Sequence, residues 1–227
     1  MEELTMALSN KKLLLSLGIA GNILWLAADI VLGYLPGGIA KSGFMSDAAT
    51  LEKVLSGAPL WRFPASAALC MLGMTLAVFG YLGIFASFKE NSLLAKLTLL
   101  GGIGGTVCGA VYHVICTSSE WFYVRYGGGN EGFSALSDFM AQHEIPMRLC
   151  GGFFCLLGIC LLISVLRSKT VFREWCAVFN IMIFYPIFMI FGYPGYMSMG
   201  GLIMFAGLLI SSVRGNAREL LASTEKD

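Results

Sequence analysis

The chain reads as an all-α integral membrane protein, a six-helix bundle. Three observations predict this. Hydrophobic residues fill 57% of the 227 positions and charged residues only 13%, with a mean hydropathy of +0.76, a balance that no soluble domain requires. Six apolar runs reach or approach the roughly 20 residues that a bilayer core demands. The Lys and Arg residues segregate between the alternate connections of those runs, as in multi-pass proteins.

The first run, Leu13 to Leu35, is 23 residues long and follows Lys11-Lys12. A secretory signal has a shorter apolar core and a small-residue cleavage site, so this run is expected to be retained as a first helix, about 13–35. The second helix is expected at about 63–88 and the third at about 93–116, with Lys89-Glu90 between them. The fourth and fifth, about 145–166 and 172–191, are separated by Arg167-Ser168-Lys169 and Arg173-Glu174. Gly192-Tyr193-Pro194-Gly195 is a tight turn before the sixth, about 196–213, and residues 214–227 form a polar tail. Trp61, Trp121 and Trp175 fall at helix ends, where aromatic belts sit. The whole chain, 1–227, is expected to be one transmembrane domain.

One side of these helices collects Lys11, Lys12, Lys89, Lys96, Arg167, Lys169, Arg173, Arg214, Arg218 and Lys226. The other collects Lys41, Lys53, Arg62, Arg125 and Arg148. The positive-inside rule then predicts both termini in the cytoplasm. Two long outer loops, 36–62 and 117–144, each contain a glycine cluster and a segment with one apolar face. Ser46-Asp47 can cap 47–56, with Leu51, Val54 and Leu55 on one side. Asn130-Glu131 can start 131–142, with Phe133, Leu136 and Met140 on one side. Both short amphipathic helices are expected over the outer mouth of the bundle.

Gly18-x-x-Gly21-Asn22 in the first helix aligns with Gly102-x-x-Gly105-Thr106 in the third, which sets Asp29 opposite His113. Each stretch leads into a glycine-bearing loop and then an Arg near a Pro at the next helix start. The bundle therefore reads as up to three two-helix units, the parallel repeat some transporters use. The 28 glycines suit close helix packing in lipid.

The functional signal is Asp29, an ionisable group inside an apolar span. Such a residue is costly to insert and usually faces a protein interior or a wet cavity. Asn22 lies seven residues before it, nearly two turns, on the same face, with Trp25 between. His113 and Glu120 are likewise seven apart. The fourth helix begins near His143 and Glu144, and Arg148 pairs with Glu144 at i,i+4. Arg62 or Arg148 could pair with Asp29, while Asn180 sits mid-span and Tyr185 precedes Pro186 at a kink. The ionisable members belong to the outer half.

Four readings fit this convergence. The polar groups could cross-link helices, each for about 1 kcal/mol. They could form an enzyme site for a lipid-like or other apolar molecule, with Asp29, His113, Glu120 and His143 as acid–base groups. Asn22, Trp25, Arg62, Trp121, Arg148, Asn180 and Tyr185 would then bind the ligand, with Trp25, Trp121, Tyr112 and Tyr185 as its apolar wall. Asp29, His113, Glu120 and His143 are also zinc-ligand types, but their spacing is not diagnostic. Asp29 and His113 could instead exchange protons in a small carrier, or the outer loops could present an accessory subunit to a partner. Expected partners are membrane lipids and a small apolar or amphipathic ligand. A net charge of +1 argues against nucleic acid, and GxxxxGK[ST], CxxC and HExxH motifs are absent. The seven cysteines read as small apolar filler, with Cys116 and Cys150 the one pair placed to meet near the outer surface.

The segment Gly21-Asn22-Ile23-Leu24-Trp25-Leu26-Ala27-Ala28-Asp29, with His113, Glu120-Trp121, His143 and Arg148, resembles bacterial polytopic membrane families of unknown function. That resemblance implies a bacterial plasma (inner) membrane and no particular activity or cofactor. Ceramidase-like hydrolases pair a Ser and an Asp with three His, a set that two histidines do not complete.

Overall fold

The computed structural model describes residues 2–41 and 43–224, with side chains described for 10–41 and 43–213. Residues 225–227, at the end of the predicted tail, lie outside the described residues. The chain folds as an all-α bundle with six helices long and apolar enough to cross a membrane, and it is a multi-pass membrane protein. In lipid, helices approach closely where small residues let backbones touch, and two such seams organise the bundle.

Helix α1 (Glu2–Gly33) pairs with α3 (Arg62–Phe85). A Cβ on Gly21 would stand 2.5 Å from both the Ala77 nitrogen and the Gly73 carbonyl oxygen, so the helices meet backbone to backbone. Helix α4 (Leu93–Arg125) pairs in the same way with α6 (Ile145–Leu166). There a Cβ on Gly101 would stand 2.5 Å from the Leu157 nitrogen. Helix α8 (Tyr196–Thr224) closes against α1, with α7 (Ile181–Phe191) beside it. The core holds Leu15, Trp25, Tyr81, Phe154, Leu157, Met204 and Phe205. Consecutive spans also pack as neighbours, α1 with α3, α4 with α6, and α7 with α8, while α3 meets α4 as well.

Two spans differ from expectation. The third helix was expected to end near 116, yet α4 continues to Arg125, about 50 Å in all. Nothing breaks it before Gly127, and its hydroxyls bond back to their own helix: Thr117 Oγ1 donates to the His113 carbonyl at 3.0 Å and Ser119 Oγ to that of Cys116 at 2.9 Å. Glu120 is therefore carried on a helix rather than a loop. The fifth span, expected as one helix over 172–191, is discontinuous. A 3-10 segment, Glu174–Phe179, stops at Asn180, and α7 covers only 11 residues, about 16 Å. Asn180 makes the break stable. Its Oδ1 accepts from Met182 N at 2.9 Å, and its Nδ2 donates to the Gly158 carbonyl at 2.9 Å.

The loop between α1 and α3 opens with a small hairpin, β1 (Tyr34–Leu35) and β2 (Gly38–Ile39), turning at Pro36-Gly37. Helix α2 (Ala48–Leu55) follows, capped by Asp47, which accepts from Thr50 N at 2.8 Å and Thr50 Oγ1 at 2.6 Å. These bonds hold the Asp47 carboxyl below the usual carboxylate range. Its face Leu51, Val54 and Leu55 is buried, as the pattern predicts. Helix α5 (Gly129–Gln142) begins two residues earlier than expected. Leu136 of α5 joins those α2 residues, Phe63 and Tyr123 in a second apolar cluster.

Candidate functional site

The chain termini mark one end of the bundle and the α2 and α5 loops the other. At the loop end lies a cavity of about 380 Å³ between α1, α4, the first turns of α6 and the α7–α8 turn. Residues 40, 41 and 43–45 of the first loop cover it. Lys41 Nζ sits 4.6 Å from the centre of the Tyr193 ring, tying that cover to the α7–α8 turn. No residue of α2 or α5, the short helices expected over the mouth, lines the cavity.

Asp29 enters the cavity from the last turns of α1. One carboxyl oxygen, Oδ2, lies 2.9 Å from Ser198 Oγ, whose single hydrogen also has the Gly195 carbonyl at 2.9 Å, and the other, Oδ1, lies 3.7 Å from His113 Nδ1. The latter is about 0.8 Å longer than an ordinary hydrogen bond. On the far side of the imidazole, Nε2 is 2.9 Å from Ser66 Oγ, which in turn bonds the Ala28 carbonyl at 2.8 Å.

Donor counting restricts this chain of groups. A hydroxyl has one hydrogen. The Ala28 carbonyl can only accept, so Ser66 donates to it and His113 Nε2 must donate to Ser66. Nδ1 then faces Asp29 Oδ1 as the bare nitrogen of the neutral ring, or as a second N–H when the ring is an imidazolium. The 3.7 Å gap is too long for a good hydrogen bond between Nδ1 and Oδ1, so the count fixes the Nε2 proton and not one between the two groups.

Glu120 lies two turns beyond His113 on the same face of α4 and also lines the cavity. It is 2% exposed, and its Oε2 has no hydrogen-bond partner among the described residues. An orphaned carboxylate oxygen in such a place is expensive. The rest of the wall is mostly apolar or aromatic, with Trp25, Tyr112, Met147, Cys150 and Tyr196 prominent. Trp25 is set by stacking on Phe154 at 6.3 Å.

Of the residues singled out in the sequence, Trp25, Asp29, Tyr112, His113, Cys116, Glu120 and Cys150 meet here. The others do not. Arg62 pairs with no carboxylate among the described residues: its Nε donates to the Val31 carbonyl at 2.8 Å and Nη2 to that of Tyr34 at 2.6 Å, which caps α1. His143 ends α5, where its Nδ1 bonds the Phe139 carbonyl at 2.8 Å and its ring stacks on Phe139. The proposed zinc set therefore does not assemble, and among the described residues no three His, Cys, Asp or Glu converge to hold a metal. Arg148 makes the expected pair with Glu144 at 2.7 Å, but on the surface and away from Asp29. Trp121 points out of the cavity toward Phe63 and Phe122. Asn22 is buried two turns deeper against Gly201 and donates to the Gly18 carbonyl at 2.8 Å. Asn180 caps α7, as described. Tyr185 stands behind the wall, edge-on to Tyr196 at 5.2 Å. Cys116 and Cys150 are both free and both line the cavity.

Sequence reasoning missed Ser66, Ser198 and the Gly192–Gly195 turn. Ser66 and Ser198 are small hydroxyls in apolar helices, where back-bonding to the helix is the ordinary expectation. The turn was read as a connection only, yet it forms one wall.

The family model of DUF6796, a family of unknown function, matches residues 1–215, and the chain belongs to that family. No curated protein and no solved structure matches the chain.

Proposed function

We propose that this member of the DUF6796 family binds a small amphipathic, lipid-like molecule in the loop-end cavity and exchanges a proton with it through Asp29 and His113. One observation carries the reading. A carboxyl and an imidazole 3.7 Å apart open together onto an otherwise mostly apolar cavity. Buried ionisable groups in a membrane-spanning bundle tend to mark function, and a carboxyl beside an imidazole is a pairing that acid–base chemistry uses.

In this reading the apolar wall holds the ligand's tail. Glu120 receives its head, which must donate a hydrogen bond to Oε2, as a hydroxyl or amine does. Asp29 is the group that gives or takes the proton. His113 is its partner, and Ser66 and Ser198 position the pair. Ser66 follows the Ser-His-Asp order of acyl-transfer enzymes, but it does not act as a nucleophile. It is fully buried, lies outside the cavity lining and donates its proton to Ala28. The Lys and Arg excess at the terminal end supports a cytoplasmic position for that end and, in this reading, a cavity on the outward side of a bacterial inner membrane.

A small proton-coupled carrier is the second reading, favoured by the broken fifth span, since discontinuous helices frame the sites of many transporters. The terminal half weighs against it. Its buried hydroxyls Ser87, Thr98 and Ser164 are bonded to their own helices rather than lining a path.

Native mass spectrometry of the detergent-purified protein, with lipid analysis of what co-purifies, tests the proposal. Wild type retains an amphipathic molecule, and Asp29→Asn and Glu120→Gln lose it while folding normally. Equal occupancy in all three would refute the proposal.

A further inference from the structure

At the opposite end of the bundle, the connection between α3 and α4 meets the one between α6 and the 3-10 segment. Two backbone hydrogen bonds join them: Lys89 N donates to the Lys169 carbonyl and Val171 N to the Ser87 carbonyl, each at 2.9 Å. A cleft of about 630 Å³ opens at this junction, lined by Lys89, Ser168, Thr170, Arg173, Glu174 and Trp175 among others. All of these except Glu174 and Trp175, which start the fifth span, fall between the ends of membrane spans, so the cleft lies at headgroup depth.

Two independent features point to a ligand. The first is charge. Lys89 and Arg173 both line the cleft, and among the described residues neither forms an ion pair. The acid present, Glu174, instead accepts a long bond from Ser168 Oγ at 3.4 Å. The second is Thr170. It is only 2% exposed, yet its Oγ1 has no hydrogen-bond partner among the described residues. A buried hydroxyl without a partner costs free energy that an acceptor in the cleft would recover. An acceptor that is also an anion satisfies both features, and Trp175 at the rim suits a membrane–water boundary.

We propose that this cleft is a binding site for the phosphodiester headgroup of an anionic phospholipid, held by Lys89 and Arg173 and receiving a hydrogen bond from Thr170. Basic pockets between membrane helices recognise such headgroups in this way. The site is separate from the loop-end cavity and does not depend on its function.

The test measures lipid binding by native mass spectrometry and thermal shift in neutral detergent, with dioleoylphosphatidylglycerol, dioleoylphosphatidylcholine and inorganic phosphate as probes. Binding raises the melting temperature by mass action. Phosphatidylglycerol should bind and stabilise the protein, and phosphatidylcholine should bind at least about tenfold more weakly. Substituting Lys89→Gln and Arg173→Gln together should weaken phosphatidylglycerol about tenfold or more, and Thr170→Val roughly threefold. Thr170→Val removes a partnerless hydroxyl and keeps the side-chain shape, so it should fold. Lys96→Gln, a nearby cation outside the cleft, should change nothing. Equal binding of the two lipids, unchanged binding in the Lys89/Arg173 variant, or stabilisation by inorganic phosphate but not by phosphatidylglycerol would overturn the proposal.

Discussion

The tautomer of His113 separates an acid–base pair from a hydrolytic triad, and it can be measured. In a triad, Nε2 is bare and accepts from the serine. In this structure Ser66 donates to the Ala28 carbonyl, so Nε2 carries the hydrogen of the neutral ring. Switching to the Nδ1–H form would turn the Ser66 hydroxyl away from Ala28. It would also aim the new N–H at Asp29 Oδ1 across 3.7 Å, too far for a good bond. The net loss is one buried hydrogen bond, about 1 kcal/mol. The Nε2–H form should therefore exceed the other by roughly fivefold.

The chain has only two histidines, so His143→Gln leaves a single imidazole. In protein labelled with 15N-histidine, the ring shifts then report on His113 alone. Neutral His113 should show a protonated Nε2 and a bare Nδ1. Asp29→Asn should keep that pattern, because Nε2–H retains Ser66 as its acceptor. Ser66→Ala should weaken it, since Nε2–H loses its acceptor. A dominant Nδ1–H signal in the wild type would refute the donor accounting.

Three further outcomes follow from the packing. Gly21→Ala should cost about 1–3 kcal/mol in thermal or denaturant unfolding, because the new methyl meets backbone atoms of α3. Gly151→Ala, where nothing lies within 4 Å, is the control and should not destabilise. Asn180→Ala should cost about 2 kcal/mol, through loss of the α7 cap and of the side-chain bond to the Gly158 carbonyl, without changing cavity occupancy. Arg62→Ala should lower stability by about 1–3 kcal/mol by freeing the Val31 and Tyr34 carbonyls. Retention of the co-purified molecule should persist in Arg62→Ala, whereas loss of it at unchanged stability would place Arg62 in the site after all.

What was legible in the sequence, and what was not, divides along the helix axis. Span length and charge locate a residue in depth, and the alignment of Asp29 with His113 put them at one level, where they meet. Rotation about the axis is legible only within one helix. Glu120, seven residues from His113, is turned about 20° from it and reaches the cavity, while Trp121, at eight, is turned about 80° and leaves it. Asn22 shares the face of Asp29 but sits about 10 Å deeper, below the cavity floor. No periodicity sets one helix's rotation against another. That depends on the glycine seams, whose partners, Gly73 and Ala77 for Gly21, are visible only once packed.

The same limit explains the serines. Ser66 and Ser198 matter because α3 and α8 happen to present them to His113 and Asp29, and an isolated hydroxyl in an apolar helix carries no sequence signal of that. His143 and Arg148 failed for the opposite reason. They were placed at the right end of the bundle but at helix termini on its surface, where a charged side chain is inexpensive and its presence says little. Within the span, cost restores the information. Asp29 and Glu120 had to be inserted against a penalty, and both line the cavity that the apolar wall encloses. An ionisable residue was informative here in proportion to what its burial cost.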